Sequence, residues 1–182
     1  MSIRLEEEQP VAVMRIRMVG DPVLRQKAKP VQTITRRIVK TLKDMEETMY
    51  AADGVGLAAP QVGLPQRMCV IDVGDGPMHL INPVIVASEG SDVDREGCLS
   101  MPGVHGYVER SARVVVEALD VKGKPVRLNG QGLLARALQH EIDHLDGILF
   151  TDKATGVTRV GDEADVADEE DEAGRAGSGG ES

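Results

Sequence analysis

The chain has 182 residues, 41% of them hydrophobic, which predicts one globular domain of ordinary size. Only three residues are aromatic, so the core must be aliphatic. The net charge is −9, but residues 161–182 hold nine acids and one base, which leaves the rest of the chain at −1. This nearly neutral body argues against a nucleic-acid site, and no apolar run approaches the roughly 20 residues of a membrane span.

The two cysteines, Cys69 and Cys98, do not make a disulfide framework, and a reducing cytoplasm fits them best. The first ten residues are acidic and polar, unlike a secretory signal. We therefore expect a cytoplasmic monomer with one domain over residues 1–160. Residues 161–182 are acidic and Gly-rich, which predicts a disordered, solvated tail, with an acidic docking segment as the alternative.

The first predicted element is a helix over residues 33–52, whose apolar residues recur every three or four positions in one core-facing stripe. Thr33 or Thr35 can cap its start, and Asp53-Gly54 ends it. The segment GVGLAAPQ (54–61) follows. Taken alone, it is best explained as an ordinary helix end and turn. The alternative is a backbone that passes close to a substrate, with Gln61 as an amide donor.

Four strands are predicted next, at 67–72, 78–86, 112–121 and 125–129. The turn KGKP joins the last two into a hairpin. Cys69 lies in the first of these strands between apolar neighbours, and we expect it to be buried in the core.

A second helix, LLARALQHEIDHLD, opens at Asn129 or Gln131 and is closed by Gly147. Three leucines, Leu134, Leu138 and Leu145, give it a core face, and its histidines look the other way. The strands precede and flank the two helices instead of alternating with them. This order favours an α+β fold with mostly antiparallel sheets.

The pentapeptide His140-Glu-Ile-Asp-His144 is half of a metal site. At about 100° per residue the two imidazoles lie roughly 40° apart on one helix face. Glu141 lies beside them, where a carboxylate can handle the proton of a water that attacks a substrate. A catalytic metal usually has a third protein ligand and an open position.

The third ligand has several candidates. Upstream, Cys98 stands in EGCLS beside a glycine that permits close approach, whereas Cys69 is expected in the core. Two further histidines, His79 and His105, are more often surface or loop residues than ligands. Downstream the nearest carboxylates are Asp146, which is too close along the helix, and Asp152.

Three segments taken together resemble one known family, the peptide deformylases. They are GVGLAAPQ (54–61), EGCLS (96–100) and QHEIDHLDG (139–147). The likeness extends from about Gly20 to Phe150 and includes DPVLR near the start. It implies an α+β fold of mostly antiparallel sheets packed around a central metal-bearing helix. It also implies a hydrolase that removes the formyl group from N-formyl-methionine at the start of newly synthesised polypeptides and releases formate.

The resemblance also implies residue roles. The metal ligands would be Cys98, His140 and His144, with Glu141 as the general acid and base. Gln61 and the backbone N–H of Leu99 would hold the oxyanion. The cofactor would be one divalent ion, typically Fe²⁺, although Zn²⁺, Ni²⁺ or Co²⁺ can take its place.

The substrate site follows from the same resemblance. The backbone of Gly54, Val55 and Gly56 would pair with an extended peptide. The methionine pocket would be lined by Val55, Leu133, Ala137 and the ring of His140. Glu96 and Arg110 would form an ion pair that shapes the Cys98 loop.

The likeness fades after Phe150, and RNA should repel an acidic tail. We therefore expect that any ribosome contact does not use residues 161–182. Two rival functions stay open. One is a zinc endopeptidase with a different third ligand, and the other is a non-catalytic module that binds a metal or a peptide.

Overall fold

The computed structural model describes residues 11–160, so the first ten residues and the predicted tail at 161–182 lie outside it. The described part has two α-helices and eight β-strands. In chain order these are α1 (Arg36–Ala51), β1 (Gly56–Ala58), β2 (Met68–Ile71), β3 (Met78–Glu89), β4 (Asp92–Cys98), β5 (Met101–Arg110), β6 (Arg113–Leu119), β7 (Pro125–Gln131), α2 (Gly132–Leu145) and β8 (Thr155–Arg159). Neither helix combines the length and the apolar character needed to cross a bilayer.

The strands form two antiparallel sheets. One has five strands in the order β1-β2-β3-β6-β7, and the other has three in the order β4-β5-β8. The predicted hairpin is confirmed, since β6 pairs with β7 from Arg113–Gln131 to Leu119–Pro125. The expected α+β fold with mostly antiparallel sheets is therefore confirmed. Both β1 and β4 are edge strands of their sheets.

The predicted first helix is confirmed as α1, and Thr35 caps it by accepting a hydrogen bond from the amide of Ile38 at 3.3 Å. Its apolar stripe is buried, with Leu42, Met45 and Met49 fully enclosed. Burying each such side chain contributes roughly 1.5–3 kcal/mol, so the stripe anchors the helix on the core.

The second helix, α2, packs on the five-stranded sheet through Leu138, Ile142 and Leu145. Cys69 belongs to the same buried cluster, as expected. Of the two residues proposed to open the helix, Gln131 stands at its start, although its side chain makes no capping hydrogen bond, and Asn129 lies in β7. Gly147 follows the helix with a left-handed φ of 75°. A Cβ there would lie 2.6 Å from the carbonyl oxygen of Arg25, so this turn requires glycine.

Four strands were not predicted. They are β1, β4, β5 and β8, and β3 also runs three residues beyond its predicted end at 86. The segment of β4 reads DVDREGC and lacks the apolar alternation that marks a strand. The buried residue of this strand is Glu96, whose carboxylate is paired with Arg110 and Arg136. A strand pattern would have a hydrophobic residue at that position.

Candidate metal centre

Three potential ligands converge where the end of β4 meets the face of α2. The Sγ of Cys98 lies 3.2 Å from Nε2 of His144, and that nitrogen lies 3.2 Å from Nε2 of His140. The two rings are one helical turn apart, as the sequence predicted, and they meet edge to face. Cys98 comes from the other sheet, so the cluster forms only when β4 and α2 are correctly docked.

The ring of His140 is oriented by Glu96, whose Oε2 accepts a hydrogen bond from Nδ1 at 3.0 Å. The predicted ion pair is present, since Nη2 of Arg110 donates to the same Oε2 at 2.9 Å. Burial by itself would raise the pKa of Glu96, but the hydrogen bonds from Arg110 and His140 lower that pKa to about 2. Because Glu96 is ionised it can only accept, so Nδ1 of His140 carries a proton and Nε2 is the ring atom left to bind a metal.

In the absence of a metal, the pKa values of the two imidazoles are shifted in opposite directions. Burial opposes protonation of His140, but the hydrogen bonds with Cys98 and Glu96 outweigh it and raise the pKa of His140 to about 10. Burial, followed by the charge of His140, lowers the pKa of His144 well below its usual value. The cluster therefore favours a positive charge at His140 in the absence of a metal, and a divalent cation can take the place of that proton.

Glu141 is buried beside the cluster and behind β1. One of its carboxylate oxygens, Oε2, has no hydrogen-bond partner within the described residues. Burial raises the pKa of Glu141 to about 7. A carboxyl group with this pKa can both accept and return a proton near neutral pH.

The amide of Gln61 faces the cluster because its two ends have fixed partners. Its Oε1 accepts a hydrogen bond from the backbone N–H of Ala58 at 2.8 Å. Its Nε2 lies 3.2 Å from Oγ of Ser100 and 3.5 Å from Sγ of Cys98. Gln61 is buried in a short 3₁₀ helix after β1, so the amide donor is preorganised.

A cavity of about 380 Å³ opens onto this cluster and is lined by most of the predicted site residues. These are Gly54, Val55, Gly56, Gln61, Cys98, Leu99, Leu133, Ala137, His140 and Glu141. Val55 and Leu133 are large apolar residues exposed at 44% and 53%, respectively, as a binding surface requires. A groove of about 650 Å³ beside the start of α1 is larger, but its lining includes neither a His/Cys cluster nor a carboxylate. The chemistry therefore belongs to the smaller cavity.

The donor set fits a divalent transition metal. One ligand atom from each of Cys98, His140 and His144 lies within 4.8 Å of the others. Three lone-pair donors this close repel one another unless a proton or a cation lies between them. A thiolate and two imidazoles suit iron or zinc, and no fourth protein ligand joins the group within residues 11–160, which is typical of a catalytic site.

The other candidate ligands lie elsewhere. His79 contacts Oε2 of Glu46 through Nε2 at 2.5 Å, and Cys69 is fully buried in the core. His105 lines the cavity but does not belong to the ligand cluster. Two acids downstream are paired with arginines, Asp146 with Arg67 and Asp152 with Arg25.

Several residues at the site escaped sequence reasoning. Ser100 is fully buried against Gln61, and Arg136 lines the cavity and binds Glu96. Asp143 on α2 joins Arg110 to Lys153. The sequence could have indicated Arg136 as a site residue, because this charged residue interrupts the apolar run LLARAL about one helical turn before His140.

The chain is similar to known proteins of one family. A family model described as polypeptide deformylase matches residues 13–160. A peptide deformylase from Desulfitobacterium hafniense is 58% identical over 149 residues, which cover 82% of this chain and 99% of the relative. One from Acetivibrio thermocellus is 63% identical over 143 residues, covering 79% and 84% of the two chains.

Solved structures give the same result. The crystal structure of peptide deformylase from Thermotoga maritima matches with a TM-score of 0.77 at 48% identity, over 79% of this chain and 98% of the other. A peptide deformylase from Synechococcus elongatus in complex with actinonin matches with a TM-score of 0.77 at 41% identity, over 97% of this chain and 95% of the other.

Proposed function

The chain belongs to the polypeptide deformylase family, and we propose that Cys98, His140 and His144 hold its catalytic metal. It is a metal-dependent hydrolase that removes the formyl group from the N-terminus of nascent polypeptides and releases formate. The observation that carries the assignment of residues is the convergence of one sulfur and two Nε2 atoms beside the buried Glu141, whose Oε2 has no hydrogen-bond partner within residues 11–160.

We propose Fe²⁺ as the metal, with Zn²⁺, Ni²⁺ or Co²⁺ as substitutes that the same ligands accept. When bound, the metal supplies Lewis acidity, which activates water and polarises the formyl carbonyl. The thiolate of Cys98 donates charge and tempers this acidity. Iron beside a thiolate is vulnerable to oxygen, so we expect aerobic purification to lower the iron content and the activity together. Full activity after prolonged aeration with iron retained would contradict this vulnerability to oxygen.

Glu141 moves the protons in the proposed reaction. Its Oε2 has no hydrogen-bond partner in the part of the chain that the structure describes, so it can accept a proton from the water that attacks the formyl carbon. The same oxygen then returns the proton to the leaving α-amine, and formate departs. A pKa near 7 suits both steps, because neither proton transfer is then strongly uphill.

Gln61 and Leu99 are proposed to stabilise the developing oxyanion. The Nε2 of Gln61 is held at the cluster by the contacts with Ala58 and Ser100, so its N–H group needs no reorientation. The backbone N–H of Leu99 follows the ligand Cys98 directly. Losing one such donor typically costs about 3–4 kcal/mol of barrier.

The peptide is proposed to lie between two free sheet edges. Gly54, Val55 and Gly56 line one side of the cavity at β1, and the end of β4 lines the other. An extended chain can pair with such an edge. The methionine side chain would then contact Val55, Leu133 and Ala137, which are aliphatic and present no charge.

The test is formate release from a formyl-Met peptide, measured together with bound metal. Cys98→Ala should lose both the metal and the activity. Cys69→Ala is the matched control, because it removes a buried thiol from the core and should keep both. Glu141→Gln should retain the metal while formate release falls by two to four orders of magnitude. Unchanged turnover in Glu141→Gln would exclude Glu141 as the base.

The same variants separate the rival functions. A zinc endopeptidase with another third ligand would keep its metal in Cys98→Ala. A non-catalytic metal-binding module would show no formate release in the unaltered protein.

A further inference from the structure

The ligand cluster depends on how β4 docks on α2, and few direct contacts join these two elements. Cys98 ends β4, whereas His140 and His144 lie on α2. Within residues 11–160 no backbone hydrogen bond joins β4 to α2. The distance from the sulfur of Cys98 to the imidazoles is therefore set by side chains that reach between β4 and α2.

Arg136 is the side chain that spans most of this gap. Its Nη1 donates to Oε1 of Glu96 at 2.7 Å and to the carbonyl oxygen of Val108 at 2.9 Å. Its Nη2 donates to the carbonyl oxygen and to Oδ2 of Asp92, at 3.1 and 3.0 Å. One guanidinium on α2 thus holds β4 at the exposed Asp92 and the buried Glu96, and it holds β5 at Val108.

The other contacts of Glu96 show why its position matters to the ligands. Its two oxygens accept hydrogen bonds from Arg110, Arg136 and His140. Glu96 precedes the ligand Cys98 by two residues and orients the ligand His140. A displacement of Glu96 therefore moves the sulfur and turns one imidazole at the same time.

We propose that Arg136 is a positioning residue that sets the span between the sulfur and the imidazoles by fixing β4 against α2. This inference rests on the proposed function of the cluster as a metal centre. An arginine is needed because its planar fork serves Glu96, Asp92 and Val108 together, whereas a lysine offers one compact charge. Its side chain is 8% exposed and that of Glu96 is 5% exposed, so water does not replace the contact between them.

The experiment compares Arg136→Met with a matched control, Arg67→Met. Arg67 is also a mostly buried arginine bound to α2, since its Nη1 donates to Oδ1 of Asp146 at 2.8 Å and its Nε to the carbonyl oxygen of Pro83 at 3.1 Å. It tethers the opposite end of α2 to the five-stranded sheet and does not touch β4. Each protein is stripped, loaded with Co²⁺, and measured for the dissociation constant by chelator competition and for the thiolate-to-cobalt charge-transfer band.

We expect Arg136→Met to weaken Co²⁺ binding by about tenfold to a hundredfold and to shift or weaken the thiolate band. Arg67→Met should leave both within threefold of the unaltered protein, even where it lowers the thermal midpoint. Arg136→Lys should fall between the two. If Arg136→Met does not fold, Arg136→Lys decides the question, with a loss of at least threefold expected and unchanged binding refuting the proposal.

Two results would overturn the inference while leaving the proposed function intact. One is an unchanged dissociation constant and band in Arg136→Met, and the other is an equal loss in Arg67→Met, which would mean a general loss of stability. Absence of the thiolate band in the unaltered protein would instead show that Cys98 does not bind the metal. That result would remove the proposed metal centre together with the role of Arg136.

Discussion

A methyl group added at Gly56 should displace the proposed base without changing any catalytic residue. Gly56 lies in β1 against Glu141, and a Cβ there would lie 2.8 Å from Cδ and 2.9 Å from Cγ of Glu141. Ordinary contacts with a Cβ begin near 3.4 Å, so the carboxylate must retreat by at least about half an ångström. The backbone at Gly56 does not have a left-handed φ, so alanine adds no backbone strain there and acts only through its contact with Glu141.

The expected loss is large because catalysis depends on geometry. A misplacement of about 1 Å can cost about a hundredfold in rate, which corresponds to about 2.7 kcal/mol of barrier. We therefore expect Gly56→Ala to lower kcat/KM for a formyl-Met peptide by between tenfold and a hundredfold, with metal content unchanged. The assay is formate release at several substrate concentrations, together with metal analysis.

A second glycine provides the control. A Cβ at Gly130 would lie 2.9 Å from Cδ1 of Leu138 and 3.1 Å from Cα of Ala135, so Gly130→Ala crowds the core without meeting Glu141. It should lower the unfolding midpoint yet lose less activity than Gly56→Ala. If Gly56→Ala retains kcat/KM within threefold of the unaltered protein, the close approach of β1 to Glu141 does not matter for catalysis and the reasoning is wrong.

Three further predictions concern stability and partners. In metal-stripped protein, burial raises the pKa of Glu141 to about 7, so the stability that its protonated form contributes is present below about pH 4.5 and is lost as the pH rises through 7. Glu141→Gln should therefore match the unaltered protein near pH 4.5 and exceed it above pH 7 by up to about 3 kcal/mol in urea unfolding; equal stability at both pH values would contradict this. Leu42→Ala should lower the free energy of unfolding by about 2–5 kcal/mol, because it opens a cavity in the core under α1, and a loss below 1 kcal/mol would be inconsistent with its full burial. Deleting residues 161–182 should leave co-sedimentation with ribosomes unchanged, because RNA repels acidic residues, and a decrease would assign the tail a docking role.

Much of this protein could be predicted from local patterns. The apolar stripe of α1 and the spacing of His140 and His144 on α2 follow from the period of the helix, which needs no tertiary information. The hairpin of β6 and β7 follows from two apolar runs and a turn. The family resemblance rests on three short segments, and the matched relatives and structures confirm the family and its fold.

Other parts depended on how the chain packs. Sequence reasoning expected Cys69 in the core and His79 and His105 outside the site, and it assigned Cys98 only through the family resemblance. The docking of β4 on α2 places the sulfur of Cys98 beside the two imidazoles. The strand β4 was missed because its inward carboxylate is buried with arginines, against the usual rule for a strand's core face.

The sequence by itself determined α1, the hairpin of β6 and β7, and the pairing of His140 with His144 on one face of α2. Each of these depends on residues that are only a few positions apart. The family resemblance supplied Cys98 and the Glu96–Arg110 pair, but the tertiary structure alone decided that Arg136 also satisfies Glu96 and that Glu141 lies behind Gly56. The physical reason is that these contacts join residues 40 or more positions apart, and such contacts leave no periodic pattern in the chain.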